Sequence, residues 1–272
     1  MKVMFPDEYV EKNRKAWDEV TPVHISHKTA ESKFFKDGGN TLDQVEKSML
    51  TDVKAKKVAH LCCNCGQDTL SLVNLGATCV GFDFSNSAIE EAKKLSSASG
   101  VRAEFVTADV LDIPSSFNGK FDFVYISRGV LVWIPDIVAL MKSVSRLLKK
   151  GGKLFLYDQH PFVHLFDSDQ SGNLIAKFDY FKKKPDEYRG LDYIGGTQYD
   201  ASPNYQFMVR LEDIFQGIVE NGMRLETFKE FNHSFFQQFP GLVKNEDGLY
   251  RYPKGDNKTA IPLMMAVTAT KI

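Results

Sequence analysis

Apolar residues recur at helical spacing near the start of the chain. Trp17 and Val20, then Leu42, Val45 and Met49, sit between charged positions, so about Pro6 to Asp52 reads as helical, broken at Gly38, Gly39 and Asn40. From Lys57 the rhythm changes. KVAHLCC is a short apolar run ending in a turn that holds Gly66, and QDTLSLVNLG follows as a helix closed by Gly76. The unit repeats, with TCVGFDF as a strand, SNSAIEEAKKLSSASG as a helix capped by Ser85 or Asn86, and VRAEFVTADV as the next strand. FDFVYIS is a fourth strand, DIVALMKSVSRLLKKGG a helix with lysines in its last turn and glycines after it, and KLFLYDQH a fifth strand. This alternation predicts a doubly wound α/β domain over about Thr51 to His160, a parallel sheet with helices on both faces joined by right-handed crossovers.

After His160 the alternation stops. Turn signals surround short aromatic runs such as AKFDYF in residues 161–205, which reads as an inserted antiparallel piece. LEDIFQGIVENG returns as a helix, MRLETFKEF as a strand and AIPLMMAVTATKI as a final strand, with a loop from Pro240 to Pro262 between the last two. More than half of the aromatic residues fall between Pro161 and Ala260. That enrichment fits an apolar cover over a site, built from AKFDYF, YQFMV and FNHSFFQQFPG; a dimer surface or a small second core would use the same residues.

Composition narrows the class. With 272 residues, 43% hydrophobic and 25% charged, the chain is an ordinary globule of one elaborated domain. Lys and Arg number 34 against 35 Asp and Glu, a net charge of -1, so nothing global attracts nucleic acid or an anionic membrane, and neither is expected as a partner. No stretch approaches the ~20 apolar residues of a membrane span and the first residues lack a signal peptide's apolar run, so a cytoplasmic location is expected. The cysteines are Cys62, Cys63, Cys65 and Cys79. Their spacing makes a poor disulfide framework, so reduced thiols are expected. Adjacent Cys62 and Cys63 at a strand end point to opposite faces, which argues against a zinc site with His60; no metal is expected.

In open α/β sheets ligands sit beyond the carboxyl ends of the strands, so candidate chemistry is sought there. The first such loop, His60 to Leu70, is either a nucleotide-type cofactor loop or an ordinary turn. Asp83 follows Gly66 by seventeen residues, the acid spacing of a ribose-gripping carboxylate, with a helix cap as the plainer role. Asp109 can accept from an exocyclic amino group while Val110 packs on a flat base, or it is a turn aspartate. Past the fourth and fifth strands lie Ser127, Arg128, Asp158, Gln159, His160 and, a turn later, His164. His160 titrates in the range a general base needs, or orders the turn before Pro161. Arg128 clamps an anionic substrate or pairs with a surface acid.

Five of these pieces together resemble the class I S-adenosylmethionine-dependent methyltransferases of the small-molecule type: the loop after the first strand, GFDFSNSAIEEAK, FVTADVLDIP, FDFVYISRGVLVWIPD and LLKKGGKLFLYD, covering about Val58 to Asp158. The resemblance implies a Rossmann-like, seven-stranded, mostly parallel sheet. It divides the chain into an N-terminal helical lid at 1–50, the cofactor-binding core at 51–160, an inserted cap at 161–205, and a helix with strands completing the sheet at 206–272. It further implies that the loop from His60 through Cys62 and Asn64 to Gly66 wraps the methionine part of S-adenosylmethionine. Asp83 would hold the ribose hydroxyls with Phe84 beside the adenine, Asp109 and Val110 would touch the adenine, and Ser127 would lie near the sulfonium. Trp17, with Asn13 and His24 nearby, resembles the lid helix that folds over the cofactor, with a core position as the plainer role for a helical Trp.

The activity expected from the resemblance is direct displacement of the methyl group onto a small-molecule acceptor, releasing S-adenosylhomocysteine. His160, Ser127 and Arg128 are the catalytic candidates, in a monomer or homodimer. The family's first loop carries an acid and several glycines where this chain has His60, Cys62 and Asn64. That departure keeps open a second reading, a protein that holds the cofactor with little turnover. A nicotinamide-dependent oxidoreductase would need the three-glycine fingerprint, which is missing.

Overall fold

The seven-stranded sheet follows from strands that are apolar on both faces, as parallel strands sandwiched between helices must be. The computed structural model describes residues 7–27, 31–169, 173–190, 202–253 and 261–272. The sheet strands are β1 (Lys57–Leu61), β2 (Thr78–Asp83), β3 (Glu104–Thr107), β4 (Phe121–Ser127), β5 (Leu148–Gln159), β6 (Met223–Phe231) and β7 (Met264–Lys271). They lie in the order β6-β7-β5-β4-β1-β2-β3. Only β7 runs against its neighbours. The first five pair in parallel, as the strand and helix alternation predicts.

The helices are α1 (Asp7–His27), α2 (Ser32–Lys36), α3 (Gln44–Met49), α4 (Gln67–Asn74), α5 (Asn86–Ser99), α6 (Ile137–Leu147) and α7 (Leu211–Glu220). On one face, Leu140, Val144 and Leu147 of α6 and Ile214 and Ile218 of α7 pack on Val124, Ile126, Leu154 and Leu156. On the other, Leu50 and Leu72 close over Val58, Tyr125, Phe155 and Tyr157. Each such aliphatic side chain, removed from water, contributes roughly 1.5–3 kcal/mol. Asp43 and Glu46 form a capping box that starts α3, and Ser85 caps α5 by accepting from the Ala88 amide.

Two expectations change. The helix read through LLKKGG stops at Leu147, and Leu148 opens β5. Lys149 and Lys150 belong to the strand because Leu148 already pairs with Phe121, and the register slips there as Gly151 turns with φ +75°. The third strand is also shorter than VRAEFVTADV, leaving the sheet at Thr107.

The inserted segment forms two antiparallel ribbons, Phe166–Ser168 with Leu174–Ala176 and Asp186–Tyr188 with Asn204–Gln206. The expected cap also includes residues 170–172 and 191–201, the expected lid residues 1–6 and 28–30, and the late loop residues 254–260; all of these lie outside the described residues. α1 ties core to ribbon. Asp18 accepts from the Ser85 hydroxyl at 2.6 Å and the Ser87 amide at 3.0 Å, while Asn13 exchanges hydrogen bonds of 2.8 and 2.6 Å with the Tyr205 backbone. Among the described residues no helix is long and apolar enough to cross a membrane.

Candidate active site

Strand order reverses between β1 and β4, and a crevice opens above their carboxyl ends. There the chain encloses a cavity of about 510 Å³. His60, Cys62, Asn64, Asp83, Phe84, Asp109, Val110, Ser127, Arg128 and Trp17 all border it; Gly66 and His160 do not.

The loop after β1 achieves a glycine-like path without glycines. Cys62 and Asn64 take φ of +54° and +48°, in the left-handed region that costs a side-chain-bearing residue about 1–2 kcal/mol and that asparagine tolerates best. Asn64 offsets part of this by accepting from the Cys65 amide at 2.8 Å. Its own amide donates to Asp83 Oδ2 at 2.8 Å, and Asp83 Oδ1 accepts from the Ser85 amide at 2.9 Å. The carboxylate at the end of β2 is therefore fixed through both oxygens. Burial pushes the Cys62 and Cys63 thiols well above their ordinary value, so both stay protonated.

Gly66, expected on the cofactor, packs instead. It starts α4 with φ +77°, and a Cβ there would lie 2.7 Å from the Phe105 ring and 2.9 Å from Ala92 Cβ. Asp109 turns back to accept from the Leu111 amide at 2.8 Å while it borders the cavity, and Val110 is buried beside it. Phe84 packs with Trp17 and Trp133, whose rings meet edge to face at 5.3 Å. Trp17 borders the cavity and belongs to a small core at once.

At the end of β4, Ser127 is buried on the cavity wall and its hydroxyl has no partner among the described residues. Arg128, at φ +60°, sits between two acids, Nε 3.4 Å from Glu46 and Nη2 2.8 Å from Asp68. These partners are buried or half-buried elements of the N-terminal helices and α4, in place of the expected surface acid. Glu46 lies fully buried, accepts from the Tyr125 hydroxyl, and burial pushes its carboxyl up to about 7 against the pull of Arg128. His60 bonds Thr69 through Nδ1 at 2.8 Å, and burial pushes it down to about 4, leaving a neutral ring. Asp158 accepts from the amides of Gly129, Val130, Leu131 and Gln159, which makes it the organiser of the loop after β4.

His160 stands apart. Alternation along β5 gives Gln159 to the cavity and turns His160 away from it, where Nδ1 accepts from the Phe162 amide at 3.1 Å and Nε2 lies 3.1 Å from Glu230 of β6. Its ring starts a short 3-10 turn, Pro161–Leu165, and that turn brings His164 to the cavity instead. Sequence reasoning named His164 only in passing, and it missed Thr41, Asp68, Trp133 and Gln206. The aromatic signal in FNHSFFQQFPG was sound, since Phe235 and Phe236 border the cavity; AKFDYF does not reach it.

The arrangement offers a ribose-sized diol acceptor at Asp83, apolar surface at Phe84 and Val110, and an unpartnered hydroxyl at Ser127, a set that fits S-adenosylmethionine. Residues 58–152 match the family described as a methyltransferase domain. An uncharacterized methyltransferase of Synechocystis sp. is 32% identical over 133 residues, which cover 44% of this chain and 60% of that one. A demethylmenaquinone methyltransferase of Staphylococcus carnosus is 32% identical over 162 residues, 54% of this chain and 63% of that one. The chain spans between 44% and 63% of the length of the curated relatives it matches. The solved structure of an S-adenosylmethionine-dependent methyltransferase from Mesorhizobium loti shares the fold at 18% identity with a TM-score of 0.58, covering 84% of this chain and 96% of that one. Residues 58–152 thus match a methyltransferase domain, and the chain shares its fold with solved S-adenosylmethionine-dependent methyltransferases.

Proposed function

We propose that this protein transfers the methyl group of S-adenosylmethionine to a small-molecule acceptor by direct displacement. The observation that carries this reading is the Asp83 carboxylate at the end of β2, held on the cavity wall by the Asn64 and Ser85 amides. When bound, the cofactor supplies a methyl group on a sulfonium whose departure leaves a neutral thioether, so the protein's task is alignment and exclusion of water. Asp83 would hold the ribose, Phe84 and Val110 the faces of the adenine, and Asp109 its amino group. The loop from His60 to Asn64 would follow the methionine portion, with the Ser127 hydroxyl beside the reacting centre. Trp17 and Trp133 would close the cavity from the side of α1.

The glycine-poor loop loses its force as an argument for a silent binding protein. Cys62 and Asn64 already occupy the backbone conformations that glycines would supply. A demethylmenaquinone methyltransferase among the relatives supports a small-molecule acceptor. The test is release of S-adenosylhomocysteine across a broad panel of hydroxylated, amino and thiol acceptors. Turnover on at least one class is expected; binding of the cofactor with no release on any would favour the silent binder.

A further inference from the structure

Behind the cavity wall two acids share one guanidinium. Arg128 meets Glu46 of α3 through Nε at 3.4 Å and Asp68 of α4 through Nη2 at 2.8 Å. Asp68 and Arg128 border the cavity, while Glu46 lies fully buried behind the guanidinium. The Glu46 carboxyl is held at both oxygens: Oε1 accepts from the Tyr125 hydroxyl, and Oε2 accepts from the Asp43 amide at 2.8 Å. Thr41 donates to Asp68 at 2.6 Å. A guanidinium shared by two acids stabilises their two charges less well than it would stabilise one, so the more deeply buried acid is the one that keeps a proton. That acid is Glu46, which burial pushes up to about 7.

The other groups around this cluster do not compete for the proton. Glu46 and Asp68 are faced by Asp43 on α3, Tyr125 of β4, His60 of β1, and Tyr157 of β5 with its partner His233. Burial pushes the two tyrosines up and the two histidines down, so all four are neutral at pH 7. Carboxylates also prevail among the charged groups described on the cavity wall, where Asp68, Asp83 and Asp109 stand beside Arg128. Ser127, expected beside the sulfonium, is the residue before Arg128. S-adenosylmethionine and S-adenosylhomocysteine share the methionine ammonium and carboxylate, and they differ in charge only at sulfur. Attraction between a sulfonium and partly buried acids is little screened by salt.

We infer that Glu46 and Asp68 are specificity-determining residues for the cofactor: with Arg128 between them they make the cavity prefer the cationic sulfonium to the neutral thioether, and Glu46 releases its proton to solvent as the sulfonium docks. This rests on the methyltransferase reading above. After transfer the sulfur is neutral, Glu46 takes a proton back from solvent, and the product loses the attraction that held the substrate. Below the window Glu46 is protonated and the preference is smallest; as pH rises through about 7 the carboxylate ionises and the preference grows.

The test is calorimetric titration with S-adenosylmethionine, S-adenosylhomocysteine and sinefungin, which carries an ammonium in place of the sulfonium. Runs in phosphate and in Tris at pH 6, 7 and 8 give the affinity and the number of protons exchanged. The preference for S-adenosylmethionine over S-adenosylhomocysteine is expected to rise from pH 6 to 8 by up to about tenfold, the equivalent of one pKa unit, with sinefungin following the sulfonium. At pH 7 the sulfonium should release up to about half a proton more than the thioether. Glu46→Gln is expected to abolish the extra release and to flatten the preference against pH. The ligand's own α-amino group, which titrates near ~8, acts alike in parent and variant and drops out of that comparison. Asp68→Asn leaves Arg128 to Glu46 alone, and should lower the preference several-fold at pH 8. In the parent, a preference that stays constant from pH 6 to 8 overturns the inference, whether or not a variant folds. Equal proton release by parent and Glu46→Gln overturns it too. Failure to bind any of the three ligands would instead sink the cofactor assignment.

Discussion

Asp83 shows how one side chain is built for binding before a ligand arrives. Two backbone amides fix its rotamer, so little side-chain entropy is left to lose on binding a ligand. Asp83→Asn replaces one acceptor oxygen with a donor that faces the Asn64 or Ser85 amide. It should weaken S-adenosylhomocysteine binding by about 2 kcal/mol, roughly 30-fold, in calorimetric titration. Affinity within twofold of the parent would reduce Asp83 to an organiser of the loop. Asp83 was legible from its spacing after Gly66, because it sits where a strand ends and strand ends are readable. His160 was not: a position past β5 fixes a neighbourhood, while the pleat decides which of Gln159 and His160 faces the cavity.

The elements that announced themselves were those with strong periodicity, β1 to β5 and α4 to α6, and the strands and helix of the last third. Misreadings fell where tertiary pairing overrode local signals. Lysines and glycines are helix-ending residues, yet in LKKGG they edge into β5 because Phe121 of β4 claims Leu148 as a partner. Ribbons three residues long carry no period to detect. Gly66 illustrates the same override, since a glycine in a cofactor-type loop reads as a close approach to ligand, while here the close approach is to Phe105 and Ala92 where α4, α5 and β3 converge. Gly66→Ala combines a left-handed backbone with overpacking and should cost about 2–4 kcal/mol in urea unfolding. A loss below about 0.5 kcal/mol would mean that this junction can open without penalty.

Across the whole molecule, the N-terminal segment supplies what the core lacks, Thr41 and Trp17 on the cavity wall and Glu46 behind Arg128. No local pattern could bring Glu46 to Arg128, since that meeting depends on how α3 folds back over the sheet. It has a consequence for stability. Glu46 is raised from an ordinary 4.5 to about 7, so between those values the folded state keeps a proton that the unfolded chain has released, and this group's contribution falls as pH rises through the window. His60, lowered from 6.5 to about 4, acts in the opposite sense, with stability lost as pH falls from 6.5 to 4. Glu46→Gln removes the first effect alone. Its stability relative to the parent, from urea unfolding at pH 5 to 8, should improve steadily up to about pH 7 and level off above; a difference independent of pH would contradict the buried, proton-holding carboxyl. The central claim, a cavity built for S-adenosylmethionine, is tested most directly by thermal unfolding with S-adenosylhomocysteine, S-adenosylmethionine and a reduced nicotinamide in parallel. The sulfur pair should raise the transition, by about 2.7 kcal/mol of added stability at ~100 times the dissociation constant, and the nicotinamide should not. No shift with either sulfur compound, or a shift with the nicotinamide alone, would contradict it.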